Sequence, residues 1–283
     1  MSKKIKIISD STSDLSPELQ QKYGIEIVPL VVTLGEQSYS DGVDVFPDDL
    51  YAYYDRTKQL PKTAAVTPAS FDSHFRPWVD AGYAVICFTI GSGFSASYTN
   101  AKIAAEAFPD VYIIDSRNLS TGIALQVIRA AELAEQGMEA ADIVAEIEVM
   151  REKVRASFVV DTLEFLWKGG RCSSVARLGA NVLHLKPGID VVDGKMGVAK
   201  KYRGDLQSCL KKYVEAKLKD RDDIDLRRVF ITHSGMSDAG NIEIVRQEIL
   251  KYQPFEEILV TRAGATISTH CGLNTLGVLF TVK

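Results

Sequence analysis

The segment Gly91-Ser-Gly-Phe-Ser-Ala-Ser97 has the composition of an anion-binding turn. It follows an apolar run and opens an amphipathic one, so it reads as a strand-to-helix turn. Backbone N–H groups at such a turn face outward at the positive end of a helix. The glycines let the backbone approach a ligand closely. Ser92, Ser95 and Ser97 add hydroxyl donors. The plainer alternative is a tight turn capped by serine. A third reading is a dinucleotide fingerprint: Gly91, Gly93 and Ala96 satisfy G-x-G-x-x-A, and Asp115 closes the next apolar run, where an adenosine ribose would be gripped by an NAD-dependent oxidoreductase.

Other polar residues have local alternatives too. Thr63, Thr67 and Ser70 sit in a Pro-bounded stretch, where hydroxyls commonly cap turns. Arg171 follows Gly169-Gly170, the place of a surface charge or a helix C-terminal partner. His270 stands in a Gly- and Thr-rich loop before the last apolar run, structural or catalytic. Asp10 and Asp14 in the opening SDSTSDLS fit a metal site or, more simply, an Asx or N-cap turn ahead of Pro17.

Much chemistry is excluded. No G-x-S-x-G elbow, no G-x-x-x-x-G-K-[ST] phosphate loop and no H-E-x-x-H occurs. His74, His184, His233 and His270 are not at ligand spacing, so no zinc site is expected. A net charge of −4 and a pI near 5.7 lack the basic excess of a nucleic-acid binder. No apolar run approaches the roughly 18 residues of a membrane span, and the opening apolar stretch is too short for a signal peptide. Cys87, Cys172, Cys209 and Cys271 are far apart with no CxxC pair, which fits a reducing cytoplasm.

The elements that must position these groups alternate. Residues 4–9 read as a strand, and Ser16-Pro17 starts a helix that stops before Gly24. Residues 25–34 are extended and broken by Pro29, 46–57 are helical, and 61–70 form an irregular loop feeding a helix from Phe71. Residues 83–90 are a nearly continuous apolar strand, the pattern of a strand covered on both faces. A helix from about 95 to 107, a strand at 111–115 and two helices within 120–155 complete a strand–helix alternation that predicts a parallel sheet. The second half reads as a strand and helical turn over 158–171, a short helix over 173–184, and a hairpin at 186–204 turning on Asp193-Gly194. A helix at 205–219, strands on either side of a helix at 238–252, and a last strand at 276–282 follow. The domain boundary is expected near residue 156, giving domains 1–155 and 156–283.

Taken in order, SDSTSDL, YGIEIVPL, DGVD, PKTAAVTP, FTIGSGFSASYTNA, VYIIDSRNLSTG, VVDTLEFLWKGGRCSS, DGKMGVAKKYRG and THCGLNTLGVLF resemble the DegV family over essentially the whole chain. The resemblance implies a two-domain α/β protein, with a parallel-sheet N-terminal domain and a mixed α/β C-terminal domain. Such a protein encloses one long-chain fatty acid such as palmitate, needs no cofactor and is not itself an enzyme. Some members are the acyl-carrying subunit of a bacterial fatty acid kinase. The family's carboxylate site maps to Thr63 and Ser95, with Ser92 and Ser97 nearby, and its kinase-serving Arg and His map to Arg171 and His270. The sequence departs from the pattern at Ala64, Ala65 and Val66, at Ala96-Ser97 and at Leu273-Asn274.

Overall fold

The computed structural model describes residues 3–172, 174 and 185–283. The first half builds a parallel sheet ordered β2-β1-β6-β7, from Glu26–Val28, Ile5–Asp10, Ala84–Thr89 and Val111–Asp115. Period-2 alternation sends Ile7 and Ile86 to one face, and Ile8, Val85 and Cys87 to the other. Both faces are covered, so every residue of β6 is buried, as its continuous apolar run predicts. On one face lie α3 (Pro68–Asp80) and α4 (Ser97–Ala105), with Phe71, Phe75, Ala101 and Ala104 packed on the strands. On the other lie α5 (Thr121–Glu135) and α6 (Ala140–Arg151).

The second half builds a six-stranded mixed sheet ordered β10-β9-β8-β13-β11-β12. Its strands are Val154–Val159 (β8), Leu185–Val192 (β9), Lys195–Arg203 (β10), Ile224–His233 (β11), Glu257–Arg262 (β12) and Leu276–Val282 (β13). Only β11 and β12 run parallel; the other pairs are antiparallel. The β9–β10 hairpin turns on Asp193 and Gly194, at φ 48° and 70°, the positive angles of a type I′ turn. Phe158, Ile189 and Leu279 face the core shared with α5, while Val229, Ile231, Val278 and Phe280 face α8 (Leu206–Leu218) and α9 (Gly240–Tyr252). Helix α5 therefore lies between the two sheets, and its side chains are buried almost all round.

Three features differ from the sequence reading. Lys62–Ala64, expected as irregular loop, forms strand β5 on the edge of a small antiparallel sheet, β4-β3-β5, with Val31–Leu34 (β3) and Gln37–Ser40 (β4). The two prolines flank this pairing without interrupting it. Helix α3 starts at Pro68 and not Phe71, because Pro68 is preset for a first helical position and the Thr67 hydroxyl caps Ser70 N–H. The stretch around His270, expected as loop, contains helix α10 (Ala265–Cys271). The remaining helices are α1 (Pro17–Tyr23), α2 (Pro47–Thr57) and α7 (Glu164–Lys168), with a 3-10 turn at Ser11–Ser13. The short helix expected over 173–184 lies, apart from Ser174, outside the described residues. Among the described residues no helix is long and apolar enough to cross a membrane.

Candidate functional site

A pocket spanning about 540 Å³, open solvent at its mouth included, lies where β5, the turn before α4, the end of α7 and helix α10 meet. Thr63, Ser95, Arg171 and His270 all line it. Its apolar side is Leu30, Ile90, Phe94, Leu119, Ile267 and Met196. Ala64 and Ala65, at positions where the sequence departs from the pattern it resembles, also line the cavity. A second, apolar pocket, about 330 Å³ with open solvent included, shares Leu119, Ile267 and Cys271 with the first and extends along Phe158, Ala263 and Leu279.

The polar end is built around one contact: Thr63 Oγ1 and His270 Nε2 are 2.8 Å apart. The other ring nitrogen, Nδ1, is buried without a hydrogen-bond partner among the described residues. A Cβ placed on Gly169 would sit 2.6 Å from Nδ1, so glycine at 169 is what lets the end of α7 close over the imidazole. Burial first, and the Arg171 charge second, lower the His270 pKa to about 4. The ring is therefore neutral at physiological pH. Arg171 is exposed at the rim, with Nη1 donating to the Gly169 carbonyl at 2.8 Å.

Ser95 lies ahead of α4, where its Oγ accepts the Ser97 N–H at 3.2 Å and pairs with Ser97 Oγ at 3.0 Å. Ser97 is fully buried and lies behind Ser95, outside the cavity lining. Ser92 also falls outside the lining. Its N–H and Oγ both donate to the Asp115 carboxylate, at 3.0 and 2.6 Å.

These contacts correct the dinucleotide reading. The Asp115 carboxylate is occupied by Ser92 and by the Arg117 N–H at 3.0 Å. It fastens the turn to the end of β7, so its acceptors already serve the protein's own backbone and Ser92. Gly93 is needed for a close approach within the protein: a Cβ there would lie 2.4 Å from the Gly194 carbonyl of the hairpin turn. Gly93 thus serves packing against that hairpin, and Gly91 serves packing against the backbone at Arg117 and Asn118.

Helix α10 begins at Gly264, which has no side chain to cap it. Its caps come from the other end of the chain. Asp14 accepts the Gly264 N–H at 2.7 Å, and Asp41 accepts the N–H groups of Ala265 and Thr266 at 2.7 and 3.1 Å. Asp41 also accepts from Ser11 Oγ, and Asp14 from Ser120 Oγ. Asp10 instead caps the 3-10 turn through Thr12 and accepts the Ile90 N–H at 2.8 Å. Burial raises the pKa of all three carboxylates, Asp10 to about 6. No cluster of three or more His, Cys, Asp or Glu among the described residues could hold a metal. Asp10 and Asp14 act as caps, and Asp41 supports the site from a segment that carries no local signal of it. All four cysteines are free and buried.

The family model described as "Uncharacterised protein, DegV family" matches residues 4–283. A DegV domain-containing protein of Clostridium perfringens is 36% identical over 223 residues, covering 78% of each chain. The solved structure of a fatty acid-binding DegV family protein from Thermus thermophilus superposes with a TM-score of 0.90 at 30% identity, over 100% of both chains. A stearic acid-binding protein from Eubacterium ventriosum superposes at 0.84 with 29% identity, over 99% of this chain and 98% of that one.

Proposed function

Because the chain belongs to the DegV family, we propose that it binds one long-chain fatty acid non-covalently, with the carboxylate held by Thr63 and Ser95. The observation that carries this reading is that Thr63, Ser95 and His270 line one cavity, Thr63 and His270 in contact, and that the rest of its wall is largely apolar. The acyl chain runs past Leu119, Ile267 and Cys271 into the second cavity, between the N-terminal and C-terminal halves. A neutral imidazole donates one N–H. With Nε2–H given to Thr63 Oγ1, the threonine hydroxyl hydrogen is free to point at the carboxylate. Ser95 supplies a second hydroxyl beside the N-terminus of α4, whose dipole favours an anion. A sixteen-carbon chain carries about 14 methylenes, worth at most about 11 kcal/mol if fully buried, before the cost of association. The hydroxyl pair offsets the desolvation of the carboxylate without a tight ion pair.

We further propose that the protein presents this carboxylate to an ATP-dependent fatty acid kinase subunit. Arg171 at the rim is suited to the approaching phosphoryl group, since a guanidinium offers two parallel donors. Ser92, tied to Asp115, and Ser97, behind Ser95, take no direct part. Four unpaired buried thiols are consistent with a cytoplasmic location.

Calorimetric titration with palmitate tests the head-group assignment. Thr63→Ala and Ser95→Ala each remove one neutral-to-charged hydrogen bond and are expected to cost about 1.5–3 kcal/mol of binding, roughly ten- to a hundredfold, without unfolding the protein. Unchanged affinity in both single variants and in the double variant contradicts the assignment.

A further inference from the structure

Behind the Ser92–Ser97 turn lies an open cleft of about 750 Å³ that the fatty acid reading leaves unused. Arg117, Arg151 and Arg155 converge on it, and Glu152 and Asp193 are the acids in its lining. Glu152 is shared: its Oε1 is 2.9 Å from Arg117 Nη1 and 3.4 Å from Arg151 Nε. Among the described residues, Arg151 Nε is buried without a hydrogen-bond partner, while its Nη1 donates to the Asp115 carbonyl at 3.0 Å. Arg155 Nη1 donates to the carbonyls of Glu152 and Val154. Three guanidiniums thus share the lining with two carboxylates, Glu152 engaged and Asp193 at the hairpin turn, with several N–H donors and one positive charge in excess. Val154, Val191 and Val192 add apolar surface to the lining, Val192 from an exposed position.

We propose that this cleft is a second binding site, for a small soluble phosphomonoester or free phosphate. A guanidinium fork pairs naturally with phosphate oxygens. Three forks around one recess suit a tetrahedral dianion with three exposed oxygens better than a carboxylate, which one fork saturates. The valine surface accepts a compact organic group attached to the phosphate. The inference stands on the arginine geometry and is independent of what the first cavity binds.

The test is a titration with inorganic phosphate and with glycerol 3-phosphate, followed by calorimetry at low salt, on the wild type and on Arg117→Gln combined with Arg155→Gln. Both side chains are exposed, so the double variant is expected to fold. Palmitate titration of the same samples reports directly that it has. The expected result is saturable phosphate binding, weakened about tenfold or more in the variant and weakened by added salt, with palmitate affinity unchanged. Arg151→Lys, which keeps the charge but loses the fork, is expected to weaken binding as well. The proposal is overturned if phosphate does not saturate the wild type at millimolar concentration, if the variants bind it as well as the wild type, or if binding occurs only to vesicles containing phosphatidic acid.

Discussion

Thr63 and His270 are 207 positions apart in the chain and 2.8 Å apart in the fold. Each is ambiguous by itself, a turn threonine and a histidine in a threonine-rich stretch; their pairing gives them a shared role. Burial makes that pairing pH-dependent in a defined direction. The His270 pKa falls from its ordinary 6.5 to about 4. The unfolded chain takes up a proton at this residue near pH 6.5 and the folded one only near 4, so the residue's contribution to stability is full above 6.5. It is lost progressively as pH falls to 4, by roughly 2–3 kcal/mol. Asp10, Asp14 and Asp41 act oppositely, since their raised pKa values favour the fold on acidification. Comparing wild type with His270→Asn isolates the histidine. The variant is expected to lose less stability than the wild type between pH 6.5 and 4, measured by urea denaturation. An imidazole NMR titration in the folded protein is expected near 4; a midpoint near 6.5 contradicts the buried neutral ring. At this scale the local turn chemistry pointed to Ser95, and the family pattern pointed to Thr63, Arg171 and His270. Gly169 and Asp41 stand in the quoted motifs, but their roles were not legible because they exist only across the fold.

At the scale of elements, α10 depends on residues more than two hundred positions away. Its N-terminal N–H groups are accepted by Asp14 and Asp41. That explains why the helix was not legible: it is seven residues long, rich in threonine, and opens on a glycine with no cap of its own. Long, periodic or continuously apolar segments such as β6 and α5 were legible because their burial is encoded locally. Strand β5 was not, because three residues on a sheet edge carry no period. Asp41→Ala strips acceptors from two buried N–H groups and is expected to cost about 2–3 kcal/mol of stability. It is also expected to weaken palmitate binding, since α10 carries Thr266, Ile267, His270 and Cys271 into the cavity. Asp41→Asn keeps one acceptor and is expected to lose less of both. Urea denaturation and calorimetry check the pair; an Ala variant as stable as wild type contradicts the capping role.

At the scale of the molecule, the two larger sheets of the described residues stack between layers of helices, with α5 in the middle. The strand–helix alternation foretold the parallel sheet, but not how the second sheet would stack against it. That depends on contacts such as Phe158 and Leu279 against the α5 core, which have no sequence period in common. The last strand, β13, sits between β8 and β11, so α10 is carried from the mixed sheet across to α2, β3 and β5. The cavity forms at that crossing, with Arg171 at its rim. Arg171→Ala is therefore expected to keep palmitate affinity within about threefold. In a reconstituted mixture of protein, cognate kinase subunit, ATP and magnesium, it is expected to lower the rate of acyl-phosphate formation at least tenfold, the scale of a lost charge-assisted contact. Equal acyl-phosphate rates for variant and wild type contradict a presenting role for Arg171.

The central claim is that the paired cavities hold a fatty acid. Mass spectrometry of lipid extracted from the protein purified without added ligand tests it most directly. The expected result is long-chain fatty acid at one mole per mole of wild-type protein and clearly less in the Thr63→Ala, Ser95→Ala double variant. A wild-type extract without fatty acid, from protein that also fails to bind added palmitate, contradicts the claim.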